Sequence, residues 1–254
     1  MNDVDVTAEL YEKYHPEVLA ALQKYSRPHK ADAVKQDRKS DLEYLAVSVP
    51  EMKQVAKAGY SLYDQSAAAI LNIWNAIWWN TPYYEVMFVA AHYYERHVEA
   101  IDEATWERLA GWAYRTENWA TSDQLSSIYA YVLPRFPMQV RQQLAAWNQQ
   151  SDNQWLRRIS LVSLIRYTGK KAVYLPPADV LPPVANCLDD KRYYVQKAVG
   201  WVLREMRRAY PDEVDEFLVR NATRLSADAF RRAVSRHPKE QKQRLLALRD
   251  EQQR

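Results

Sequence analysis

Four side chains in the middle and last third of this chain could do chemistry together: Trp119, Asp123, Arg158 and Trp201. A carboxylate stabilises positive charge that develops on a sugar carbon and can hold a water for attack. Two indoles offer electron-rich faces on which a cation rests favourably. A guanidinium grips phosphate through paired N–H donors. Together these are the groups needed to grip nucleic acid and stabilise a cationic sugar. Trp119 and Asp123 are four residues apart, so on a helix they project from one face. Arg158 stands three residues after Trp155, and Trp201 stands seven after Tyr194, two turns down one face.

The elements that must position these groups read as helices. The 254 residues include only 4 Gly, too few for a fold with many tight turns, while Ala, Leu, Glu, Gln and Arg abound. Apolar residues recur at helical spacing, as in Leu161, Leu164 and Ile165 or Val199, Val202 and Leu203. The pattern predicts an all-α fold of about a dozen helices. One domain, residues 1–254, is expected, because no Gly/Ser- or charge-rich linker interrupts the chain. Helix starts are expected at Thr81-Pro82, with Thr as N-cap and Pro at the first helical position. Others are expected at Asp102 or Thr105 ahead of Trp106, and at Ser151 or Asp152 ahead of Trp155. Pro134, Pro137, Pro176, Pro177, Pro182, Pro183, Pro211 and Pro238 are expected in the gaps between helices. Segments beginning at Pro82, Trp119, Trp155 and Tyr194 follow at steps of 37, 36 and 39 residues, near the period of helical-hairpin repeats such as HEAT units. A non-repetitive helical bundle is the alternative. In a solenoid, equivalent helices line one concave surface, which would present Asp123, Arg158 and Trp201 to one cleft.

Charge is uneven along the chain. Residues 1–150 hold 14 Lys/Arg against 19 Asp/Glu, and residues 151–254 hold 21 against 13, so a polyanion should prefer the second part. An ordinary set of solvated helix faces explains the same charge pattern. Lys197, and Arg204 three residues after Trp201, are expected to contact the backbone of such a polyanion. The run Arg231-Arg232-Ala233-Val234-Ser235-Arg236-His237-Pro238-Lys239 reads as a solvated helix end that could add phosphate contacts. The remaining tryptophans, Trp74, Trp78, Trp79, Trp106, Trp112, Trp147 and Trp155, read as mainly structural. Cys187, the single cysteine, excludes an internal disulfide and a thiolate zinc cluster and reads as a small buried side chain. His15, His29, His92, His97 and His237 are scattered without metal-ligand spacing, so no metal and no cofactor are expected. Neither a Gly-rich phosphate loop nor a nucleophile elbow is present. The start, Met1-Asn2-Asp3-Val4-Asp5, lacks the basic and apolar runs of a signal peptide, and no stretch of about 18 apolar residues occurs. The expected location is the cytosol.

The residues that carry a family likeness are Trp119 and Asp123 in Asn118-Trp119-Ala120-Thr121-Ser122-Asp123-Gln124, Arg158 in Trp155-Leu156-Arg157-Arg158, and the block Val195 to Glu205 around Trp201. In these the chain resembles the AlkD-like alkylpurine DNA glycosylases, from about Ala46 through the last third and most densely over 118–210. The resemblance implies a HEAT-like (ARM-type) solenoid with a concave DNA-binding cleft. It gives Asp123 as the catalytic carboxylate, Trp119 and Trp201 as the active-site indoles, and Arg158 as the active-site arginine. Ala120 departs from the acidic residue often found there in the family. It also implies that the chain acts as a monomer on duplex DNA bearing alkylated purines, without a deep base pocket. N3- and N7-alkylated purines are cationic, so their glycosidic bond is already weakened and the transition state resembles an oxocarbenium ion. No lysine is expected on the Asp123 or Trp201 faces, so hydrolysis without lyase activity is expected. A non-catalytic HEAT-repeat scaffold that binds DNA or protein is the alternative.

Overall fold

The computed structural model describes residues 3–150, 152–166 and 173–252. Among these, fourteen α-helices are joined by short turns and 3-10 segments, and a single antiparallel pair of two-residue strands, Ile165–Arg166 and Val173–Tyr174, interrupts them. The helices are α1 Asp3–Gln23, α2 Pro28–Arg38, α3 Val49–Val55, α4 Ala67–Asn80, α5 Tyr84–Arg96, α6 Glu103–Trp112 and α7 Trp119–Val132. They continue with α8 Pro137–Gln149, α9 Gln154–Val162, α10 Pro177–Asn186, α11 Tyr193–Met206, α12 Pro211–Arg220, α13 Ala227–Ala233 and α14 Lys239–Gln252. The expected repeat is present as alternation. The four segments seen in the sequence are α5, α7, α9 and α11, each starting within two residues of its expected place, and every second helix fills the interval.

Several boundaries differ from the sequence pattern for local reasons. Thr81 does not cap α5. It ends α4, and its hydroxyl pairs with His15 Nε2 at 3.0 Å and accepts the Tyr83 amide at 3.2 Å, so α5 starts only at Tyr84. Asp102 caps α6 as expected, accepting the Thr105 amide at 2.8 Å. The cap of α9 is Asn153, which accepts from Trp155 and Leu156. Asp152 lies one residue too early, and Ser151 lies outside the described residues. Pro137, Pro177 and Pro211 open helices, where their missing N–H costs nothing. Pro182 and Pro183 lie inside α10 rather than in a gap.

The chain divides into two compact units, Met1–Ile128 and Tyr129–Arg254, with the division inside α7. The first packs α1, α3 and α6 around α4 and α5. Its core is aromatic: Trp78 and Trp112 stack at 4.3 Å, and Trp112 Nε1 donates to Asn75 at 3.0 Å. Trp79, expected to be structural, is 42% exposed. Glu85, in the first turn of α5, is buried and accepts the amides of Leu45 and Val47, which holds Ala46 between them at a φ of 55°. Burial pushes the Glu85 carboxyl up, against those backbone hydrogen bonds.

The second unit packs α9, α11 and α13 side by side, with α8, α10 and α12 against them. Gly200 sets how closely α11 and α13 approach, since a Cβ there would meet the Ala229 carbonyl oxygen at 2.5 Å. Cys187 is buried, as expected, and burial pushes its thiol up. Gln196 donates to the carbonyls of Cys187, Leu188 and Asp190 and so closes the end of α10.

Candidate nucleic-acid interface

Trp119 opens α7 because Asn118 caps it: the Asn118 side-chain oxygen Oδ1 accepts the Ala120 and Thr121 amides at 3.0 Å each. Asp123 follows one turn later on the same side, and both side chains are partly exposed while Thr121, Ser122 and Leu125 are buried. Gln124 ties this turn to α5 through the Phe88 carbonyl at 3.1 Å. An anion and an indole are thus presented together on a capped, anchored helix start.

In the second unit, ten of the fourteen residues of α11 are buried. The other four are Tyr193, Lys197, Trp201 and Arg204, which form one stripe of alternating aromatic and basic groups. Lys197 Nζ lies 5.8 Å from the Tyr193 ring, and Arg232 on α13 donates to the Tyr193 hydroxyl at 3.4 Å. Such a stripe offers stacking surfaces and phosphate partners in register along one helix. Lys197 therefore shares a face with Trp201, which corrects the expectation that no lysine lies there.

Arg158 is placed differently. It is 5% exposed and donates Nη1 to the Tyr194 carbonyl at 2.9 Å, between α9 and α11, beside the Trp155–Tyr194 ring pair at 4.8 Å. Arg204 bends onto Glu205, its Nη2 2.7 Å from Oε1. Glu205 is buried and also accepts from Arg208 and Arg236, at 3.4 and 3.0 Å. Trp119 and Asp123 belong to the first unit, and Arg158, Lys197, Trp201 and Arg204 to the second. Among the described residues, no group of three His, Cys, Asp or Glu side chains is arranged to hold a metal. No helix there is long and apolar enough to cross a membrane.

The sequence reading missed Arg38, Asn118, Tyr193 and Glu205. Asn118 carries the usual cap signal ahead of a helix, and Tyr193 lies eight residues before Trp201, so spacing could have found both. Nothing local marks Arg38, which lies on a helix that buries no residue.

The DNA alkylation repair enzyme profile matches residues 18–236. The chain belongs to that family. No curated protein sequence matches it, so solved structures supply the remaining comparisons. Solved structures share the helical-repeat fold at low identity. A predicted DNA alkylation repair enzyme from Enterococcus faecalis has a TM-score of 0.69 and 17% identity, covering 84% of this chain and 97% of that one. The alkylpurine DNA glycosylase AlkC from Pseudomonas fluorescens, bound to DNA containing an abasic site analog, has a TM-score of 0.59 and 14% identity. That match covers 96% of this chain and 64% of AlkC. AlkD2 from Streptococcus mutans has a TM-score of 0.55 and 18% identity, covering 74% and 90%.

Proposed function

We propose that this member of the DNA alkylation repair family is a DNA glycosylase that hydrolyses the N-glycosidic bond of cationic N3- and N7-alkylated purines in duplex DNA. The observation that carries this reading is the pair of Trp119 and Asp123, one turn apart at the capped start of α7. The neighbour AlkC supports it, since that glycosylase is bound to DNA with an analog of an abasic site, the class of product that base hydrolysis leaves.

In the proposed reaction the alkylated base leaves with the glycosidic electron pair, which neutralises its positive charge. The Asp123 carboxylate stabilises the oxocarbenium-like sugar and accepts a proton from the water that attacks C1′. Trp119 and Trp201 pack against the sugar and the cationic base, each contact contributing about 0.5–2 kcal/mol. Arg158, Lys197 and Arg204 serve the phosphate backbone, and residues 1–254 work as a single functional domain. Lesions are selected by the lability of a charged base rather than by readout of its edge.

The direct test is incubation with duplex DNA containing 7-methylguanine. Free 7-methylguanine and an equal amount of abasic site are expected, and neutral hypoxanthine should stay in place. Borohydride should trap no protein–DNA adduct, because water rather than Lys197 attacks the sugar. Duplex binding without base release would replace the glycosylase reading with that of a non-catalytic DNA-binding protein.

A further inference from the structure

α2 is a polar helix that buries none of its residues, yet its last turn is fixed in place. The Glu117 carboxylate, two residues before Trp119, accepts from the Ser40 hydroxyl and from the Asp41 and Leu42 amides at 3.0 and 3.2 Å. Lys39 ends the helix in the left-handed region, at a φ of 50°, which turns the chain toward that carboxylate. This anchor brings Arg38 onto the candidate site. Its guanidinium carbon lies 4.3 Å from the centroid of the Trp119 ring and 5.3 Å from that of Tyr84, and Tyr84 stacks on Tyr44 at 5.3 Å.

The guanidinium is mostly covered, with 16% of the side chain exposed. Its Nε and Nη1 are buried and find no hydrogen-bond acceptor among the described residues, and its ion-pair partner, Asp37, is 3.7 Å from Nε. An arginine keeps its charge under all ordinary conditions. With no hydrogen-bond acceptor on those two nitrogens, the aromatic faces join the Asp37 carboxylate and the Tyr84 hydroxyl in offsetting its loss of water.

We infer that Arg38 is a positioning residue for the proposed reaction: it fixes the Trp119 indole by stacking against its ring. The inference rests on the glycosylase reading for its effect on rate, while the stack itself does not. A fixed indole one turn from Asp123 keeps the sugar in line with the carboxylate. A loose indole would sample rotamers that do not.

A double-mutant cycle tests this. Arg38→Gln should slow single-turnover release of 7-methylguanine about tenfold, the scale of one cation–π contact, and Arg38→Lys should recover part of that loss. In a Trp119→Ala background, Arg38→Gln should cost nothing further, because its partner is gone. Lys30→Gln, an exposed charge on the same helix, should leave the rate unchanged. An equal loss in both backgrounds, or no loss in the unaltered background, overturns the inference. With 5-fluorotryptophan incorporated, the fluorine resonance that vanishes in Trp119→Phe should shift in Arg38→Gln while the other eight stay in place. An unmoved Trp119 line also overturns it, as does a general shift of all lines, which would mark a merely structural role. If the unaltered protein releases no base, the glycosylase reading fails, and the fluorine line still decides the stack.

Discussion

The two units differ in charge and in how many of their described arginines are tied to carboxylates. Residues 1–128 carry 12 Lys/Arg against 19 Asp/Glu, and residues 129–254 carry 23 against 13. By charge alone, phosphate contacts would be sought in the second unit. There, however, most guanidiniums described are already engaged. Arg157 and Arg192 share Asp190, while Arg204, Arg208 and Arg236 share Glu205. Arg207, Arg224 and Arg232 pair with Asp215, Asp189 and Asp228. In the acidic first unit Arg27 pairs with Glu51, while Arg38, with Asp37 at 3.7 Å, rests on the rings of Trp119 and Tyr84. Net charge counts cations, but a guanidinium that already holds a carboxylate offers a ligand only its remaining donors. Much of the arginine excess in the second unit holds helices together.

The sharpest way to break that view is Glu205→Gln. Removing a buried carboxylate shared by three guanidiniums should cost about 3 kcal/mol of stability, read as a lower denaturant midpoint. If the midpoint does not move, the cluster is not structural. On the catalytic side, Asp123→Asn should slow base release by about 10²-fold, the effect of losing one electrostatic stabiliser. Duplex binding should remain. Single-turnover excision at the unaltered rate would remove Asp123 from the mechanism.

Glycines extend the comparison to packing. Gly200→Ala should destabilise by about 1–3 kcal/mol, since the new Cβ meets backbone of α13. Gly111→Ala, with nothing within 4 Å of its added Cβ, should stabilise α6 by about 0.5–1 kcal/mol through helix propensity. Equal effects at the two positions would refute the close approach of α11 and α13. Lys197→Gln should have the smallest effect, lowering the log–log salt slope of duplex binding by about 0.9, one phosphate contact.

Acid should reach the second unit through Asp190. Burial raises this carboxyl, but hydrogen bonds from Arg192 and Arg157 outweigh it and hold it at about 2. Its folded value thus lies below its unfolded one, near 3.9. The contribution is complete above about pH 4 and disappears as pH falls through about 2. Asp190→Asn should flatten the stability profile across that window.

The all-α class and the alternating repeat were legible in the sequence because they depend on spacing and composition along one segment. The four segment starts from Pro82 to Tyr194 therefore fell within two residues of helices. Trp119 and Asp123 were legible as a pair for the same reason, since four residues on a helix fix a shared face whatever lies around it. Caps were read less well where a side chain had a distant competitor: Thr81 lost its expected role because His15, 66 residues away, takes its hydroxyl. The burial of Arg158, the three arginines on Glu205 and the stack of Arg38 on Trp119 were decided only by the tertiary structure. Each joins residues far apart in the chain, and which partner satisfies a guanidinium depends on what packing brings near it.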